Sequence, residues 1–203
     1  MPLLPRGRRG IPSDASVPQC AQRKPVTPAL LQLGADAWEA LCAGTPEPLM
    51  ALTRSGTPAL PMLGRALKRH LLELPASNNG LGLSEGLALE ALRDHGPMSA
   101  GKVFAELMRE REPLPYVGDM MFWWLIQPLL NASEPAIAII ANAEAQWTER
   151  VLQLTATGVA LLRDERDWLD CGPGERWVGG INVCPEQPQW RYDHAADRLH
   201  TPR

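Results

Sequence analysis

The sequence predicts a mainly α protein with a small β component, of the α+β class. A helical N-terminal segment comes first, then a winged-helix-like module with a Trp-rich C-terminal extension. Three observations predict this. Apolar residues recur at three- and four-residue steps through several stretches between residues 28 and 130. Two short apolar runs, 136–140 and 150–154, flank a polar loop and read as a two-stranded ribbon. The chain of 203 residues holds 20 prolines, and many of them open helix-forming runs.

Residues 1–24 contain Arg6, Arg8, Arg9, Arg23 and Lys24 against Asp14, for a net charge of +4. Pro2, Pro5, Pro12 and Pro18 interrupt the segment, no apolar periodicity develops, and it reads as a disordered basic tail. The apolar core that a secretory signal needs does not follow the basic start. Residues 25–76 read as a three-helix segment. Thr27-Pro28, Thr45-Pro46 and Thr57-Pro58 each precede an apolar stretch, where a Thr hydroxyl can cap free amides and Pro gives up a donor that has no partner. The first helix is expected over Pro28–Cys42 with Leu30, Leu31, Trp38 and Leu41 inward. The second is expected over residues 46–54, ending before Gly56. The third places Leu60, Leu63, Leu67, Leu71 and Leu74 on one face, with Arg65, Lys68 and Arg69 on the other.

The turn Ser77-Asn-Asn-Gly80 opens the module of residues 77–203. Ser84 is expected to cap a helix carrying Leu87, Leu89, Ala91 and Leu92, which Gly96-Pro97 ends. Ser99 is expected to cap the next, with Val103, Phe104, Leu107 and Met108 inward. A third starts near Asp119, runs through Met120–Ile126 and ends or kinks at Pro128. The ribbon follows, and Leu154-Thr-Ala-Thr-Gly158 opens another helix through Leu162. The Gly- and Pro-rich remainder has strand-like pieces at 177–183 and 189–192. Three helices, a ribbon and a further helix is the order of a winged helix.

Several segments together resemble the C-terminal half of an uncharacterised bacterial family, the domain-of-unknown-function 1835 family. They are Leu71-Leu-Glu-Leu-Pro75, Asn79-Gly80, Leu83-Ser-Glu85, Pro115-Tyr-Val-Gly-Asp119, Phe122-Trp123 and Leu154-Thr-x-x-Gly158. Asp167-Trp168, Arg176-Trp-Val-Gly-Gly180 and Trp190-Arg-Tyr-Asp193 complete the set. The resemblance spans residues 24–193. Members of the family carry an α/β half upstream that begins with a strand and a Gly-Asp-Ser turn, and this sequence has no counterpart to it. The resemblance therefore implies a C-terminal part of a longer protein, or a late-starting reading frame, and brings no activity with it.

Charge narrows the function classes. The net −3 divides into a basic tail, a neutral segment over 25–80, a −6 segment over 81–149 and a −1 segment over 150–203. Duplex binding needs bases along the phosphates and readers on the third helix of the module. That helix has no Lys or Arg, and the loop of the ribbon carries Glu144 and Glu149. The sequence therefore favours a non-catalytic module for protein–protein interaction or self-association. Its partner would be a second copy, or another protein such as the missing α/β half. Nucleic-acid binding through the tail and the Arg65/Lys68/Arg69 face is the disfavoured alternative.

Six of the seven tryptophans follow residue 120. Trp168, Trp177 and Trp190, with Arg176 and Arg191, can be read as a stacking platform for a base, or as indoles covering a small sheet, and the second reading is favoured. Gly80-Leu-Gly-Leu-Ser-Glu-Gly86 lacks the spacing and the preceding strand of a dinucleotide fingerprint. Asp164, Glu165, Asp167 and Asp170 alternate with Arg163 and Arg166 and read as a solvated helix end. His70, His95, His194 and His200 share no ligand spacing. His194 follows Asp193, an acid/base pair in form but one near the C-terminus. Cys20, Cys42, Cys171 and Cys184 form no C-x-x-C pair and read as reduced thiols. No nucleophile elbow, zincin helix or phosphate loop is present. The expectation is thus no cofactor, no metal, no catalysis by the chain alone, no membrane span and a cytoplasmic location.

Overall fold

The computed structural model describes residues 25–201. The chain is mainly α with small antiparallel sheets, as its periodicity predicts. The expectation of a disordered basic tail over 1–24, with Cys20, lies outside the described residues.

Helix α1 spans Pro28–Cys42, α2 Glu47–Ser55 and α3 Pro61–Leu71. The Thr-Pro device works as expected only at α1, where Thr27 Oγ1 accepts from the Leu30 N–H at 3.3 Å. The residue before α2 is Pro46, not Thr45. Thr57 stands well ahead of α3 and accepts from Gly64 N–H at 2.9 Å while donating to the Leu60 carbonyl. Leu31 and Trp38 point outward, 65% and 68% exposed, against the expectation. The small Ala37 and Ala40 are the buried positions of α1, so a close approach to α2 replaces bulky packing.

Helix α4 spans Leu83–His95, β1 Met98–Ser99 and α5 Ala100–Glu106, which continues as a wide turn over Leu107–Arg111. Helix α6 covers Asp119–Leu125 and α7 Gln127–Asn131, divided at Ile126 with Pro128 in the first turn of α7. Strand β2 covers Ile137–Ala141 and β3 Val151–Leu154, and α8 runs over Ala156–Leu162. The sheet order is β1-β3-β2, all antiparallel. Helix, strand, two helices and a hairpin in this sheet order make a winged-helix arrangement. Two residues of β1 complete it, a strand too short to be read from periodicity. Ser99 does precede α5, but its side chain makes no cap bond. Ser84 does not cap α4 either: Gly82 occupies that position, and the buried Ser84 hydroxyl turns inward.

After β3, Thr155 takes the role the sequence gives it. Its Oγ1 accepts from Gly158 N–H at 3.2 Å and donates to the Pro135 carbonyl at 2.6 Å. The C-terminal extension holds two hairpins. Strands β4 (Arg176–Val178) and β5 (Ile181–Val183) pair through the Gly179-Gly180 turn, and β6 (Arg191–Asp193) pairs with β7 (Arg198–His200).

Two apolar cores result. One is enclosed by α4–α8 and the three-stranded sheet, with Leu89, Phe122, Ile126, Leu152 and Trp168 fully buried. The other joins Leu49, Leu67, Leu71 and Leu74 to Val178, Ile181, Val183 and Tyr192. Across the expected division at 76/77 the extension packs on both sides: Trp168 and Cys171 enter the winged-helix core, while Val178, Ile181, Val183 and Tyr192 join the core of α1–α3. Among the described residues, no helix is long and apolar enough to cross a membrane. Cys42, Cys171 and Cys184 are free thiols.

Candidate functional site

The two cores meet at a buried ionic set. Arg69 lies in the last turn of α3 and is 3% exposed. At about 100° per residue Arg69 stands on the side of α3 away from Leu67 and Leu71, and it is buried because Glu112, Ser84 and Tyr116 of the neighbouring module close over it. Its Nε and Nη2 donate to the two oxygens of Glu112 at 2.7 and 2.8 Å, a bidentate pair. Its Nη1 donates to Glu73 Oε1 at 2.7 Å, its Nη2 also to Ser84 Oγ at 2.9 Å, and the Tyr116 ring lies 5.3 Å from the guanidinium carbon. Burial alone would lower the Arg69 pKa. The bonds to Glu112 and Glu73 outweigh it, and the pKa rises above its ordinary value.

Glu85 is the second centre, placed by the start of α4. Its Oε2 accepts from Gly82 N–H at 2.8 Å, its Oε1 from the Trp168 indole N–H at 3.1 Å, and Arg176 Nη2 lies 3.7 Å away. Burial pushes the Glu85 carboxyl up; the Arg176 charge and the Gly82 N–H pull it down, and burial prevails. Arg176 Nη1 donates to the Glu73 backbone carbonyl at 2.8 Å, which ties β4 to the end of α3.

A cavity of about 380 Å³ opens beside this set, between α6, α7 and β4. Glu73, Glu85 and Arg176 lie at it, and Trp124, Leu125, Pro128, Pro173 and Trp177 form its apolar walls. Trp124 and Trp177 are 63% and 60% exposed.

The five residues read as a stacking platform do not form one. Trp168 is fully buried in the winged-helix core, its N–H spent on Glu85. Trp190 is half-buried against the other core. Arg191 donates to Asp167 Oδ2 at 2.6 Å and to the Ala76 carbonyl, away from the indoles. Only Trp177 and Arg176 share a cavity, and their aromatic companion is Trp124.

The basic face of α3 dissolves in the same way. Arg69 is buried, a correction to its expected exposure, because Glu112 and Glu73 supply its counter-charges. Lys68 reaches the Tyr192 hydroxyl at 2.6 Å and the Asp197 carboxylate. Arg65 alone stays exposed, its nearest polar contact being Met62 Sδ at 3.7 Å. In the acidic run, Asp164 accepts from Asn78 and Asn79, and Asp167 from Arg191, so those carboxylates serve local structure. Among the described residues, no group of three or more His, Cys, Asp or Glu side chains is placed to hold a metal.

Glu73, Ser84, Glu85, Glu112 and Trp124 are the site residues that the sequence reading did not select. Two carried a signal: Glu73 stands four residues after Arg69, the helical ion-pair spacing, and Glu85 stands at the capping-box position. Glu112 had none, since its partner is 43 residues away. Comparison of the chain with protein-family models, with curated proteins and with solved structures finds no match in any of the three.

Proposed function

We propose that the protein is a non-catalytic interaction module that pairs through the outer face of α6, with a second copy of the chain as the simplest partner. One observation carries the reading. Helix α6 stands where a winged helix keeps its base-reading residues, yet it exposes Met120, Met121 and Trp124 and contains no Lys or Arg. These positions fall within about 100° of the helix circumference, so they present one face. Apolar side chains grouped on a helix face mark a contact surface. Tyr116, just ahead of α6, is also exposed.

The non-catalytic part of the reading rests on how the polar groups are spent. Both oxygens of Glu85 accept hydrogen bonds, and the Ser84 hydroxyl is held between Glu73 and Arg69. The α/β half that accompanies the family it resembles would be the alternative partner. The nucleic-acid alternative keeps Arg65 and the basic residues of the first two dozen, and draws nothing from Arg69.

Light scattering on the full chain tests the reading. The expected mass is twice 22.3 kDa at concentrations well above micromolar, falling to one chain in Trp124→Glu with an unchanged far-UV spectrum. A wild-type chain that stays monomeric at every concentration, and whose Trp124→Glu variant elutes identically, would overturn self-pairing.

A further inference from the structure

The buried set at the floor of the cavity holds three carboxyl groups, Glu73, Glu85 and Glu112, against two guanidinium groups, Arg69 and Arg176. Glu112 is matched by both arms of the Arg69 fork, and burial favours the neutral form of Glu85.

Glu73 is the carboxylate of the set that keeps an oxygen without a partner. Its Oε1 accepts from Arg69 Nη1, Ser84 N–H and Ser84 Oγ, while Oε2 accepts no hydrogen bond among the described residues. The Glu73 side chain is 9% exposed, and the residue lies at the cavity. Arg176 does not serve it, since its nearest carboxylate is Glu85, at 3.7 Å. Gly82 packs closely on both groups: a Cβ there would stand 2.9 Å from Glu73 Oε2 and 3.2 Å from Arg176 Nη2.

The walls give the rest of the specification. Trp124 and Trp177 present indoles, Pro128 and Pro173 fill between them, and Glu175 adds a further carboxylate. We propose that this cavity binds an organic cation, an ammonium or guanidinium group on an apolar stem, with Glu73 Oε2 as the counter-charge and the Trp124 and Trp177 indoles against the stem. An anion would meet the carboxylates of Glu73 and Glu175, while the one cationic side chain of the lining, Arg176, is held by the Glu73 carbonyl and faces Glu85, with its Nη2 lacking a hydrogen-bond partner. A hard metal ion takes about six to eight oxygens, where this site offers unpaired carboxylate oxygens from only Glu73 and Glu175 among apolar walls. Indoles hold organic cations well, through the ring quadrupole. The volume suits the purpose, small-molecule sites being about 300–1,000 Å³.

The cation can be a free amine or the Lys or Arg side chain of a protein seated on α6. It does not require pairing through α6. Intrinsic tryptophan fluorescence of the full chain, titrated with agmatine and separately with Nα-acetyl-lysine methylamide, tests it, with butyrate and 1-butanol as the anionic and neutral controls. A saturable change with either cation and none with the controls is expected. Tighter binding of agmatine points to a free amine, and tighter binding of the blocked lysine to a protein side chain. Trp177→Ala, which alters only an exposed indole, weakens the response about tenfold, and Glu73→Gln removes it. No saturable change up to about 10 mM, an equal change with butyrate or butanol, or an undiminished affinity in Trp177→Ala would each overturn the proposal. Saturable binding by a strictly monomeric chain keeps this proposal and removes self-pairing.

Discussion

Arg69 sits among charged neighbours on a helix that reads as half-solvated, yet its guanidinium is wholly enclosed. Four of its donor contacts go to Glu112, Glu73 and Ser84. Removing a buried charge strands its partners, so Arg69→Met is expected to cost about 3–5 kcal/mol. Urea unfolding monitored by circular dichroism measures this. Combining it with Glu73→Gln and Glu112→Gln removes the stranded charges, and the triple variant is expected to be more stable than the single one. The Glu73 contact was legible as an i,i+4 pair, whereas Glu112 is brought in by the fold and by nothing local.

At the same scale, His70 sets a pH dependence. Burial lowers its pKa from the ordinary 6.5, against Glu73, which raises it. The unfolded chain therefore takes up a proton that the folded chain resists. Stability from this group is complete above the ordinary value and is lost as pH falls through it toward the lower folded value. Burial lowers His194 in the same direction. His70→Gln is expected to flatten, without abolishing, the fall in melting temperature below about pH 6.5, read by thermal scans across a pH series.

At the scale of elements, periodicity found the helices because each buries a stripe, and it placed α1 to the residue. It failed where burial is not local. Leu31 and Trp38 continue an apolar pattern that no neighbouring element covers, and β1 is made a strand by β3 rather than by its own two residues. The step from β3 to α8 was legible, because Thr-x-x-Gly encodes a cap and a close approach together. A Cβ at Gly158 would lie 2.2 Å from the Ala136 carbonyl oxygen, a backbone atom that cannot yield cheaply. Gly158→Ala is expected to destabilise by about 1–3 kcal/mol. Gly34, inside α1, has open space where its Cβ would be, and Gly34→Ala is expected to stabilise by about 0.5–1 kcal/mol. Opposite shifts of the urea midpoint from one and the same substitution check both. Destabilisation by Gly34→Ala would mean that α1 packs more closely than its exposed face indicates.

At the scale of the molecule, the chain closes on itself. The C-terminal hairpins supply Val178, Ile181, Val183 and Tyr192, a third of the buried residues of the core that α1–α3 begin, while the winged-helix core draws only on residues between 81 and 171. Composition could not reveal this, since a Gly- and Pro-rich extension looks the same wherever it docks. Tyr192 is the pin: fully buried, it donates its N–H to the Pro75 carbonyl at 2.9 Å, accepts from Ser77 N–H at 3.0 Å, and holds Lys68 and Asp197 with its hydroxyl. Loss of a buried aromatic side chain costs about 3–5 kcal/mol, and removal of everything after Pro188 takes Tyr192, Trp190 and both strands of the last hairpin. The winged-helix core loses none of its own residues in that truncation, so the damage is expected to divide at the Arg69 set. Hydrogen exchange on the truncated chain should show amides of α2 and α3 losing protection while those of α4–α6 and β3 keep it. Uniform loss throughout would mean that Arg69, Glu73 and Glu112 bind the two cores into a single cooperative unit. In that case the charge set, and not the apolar division, determines where the molecule opens.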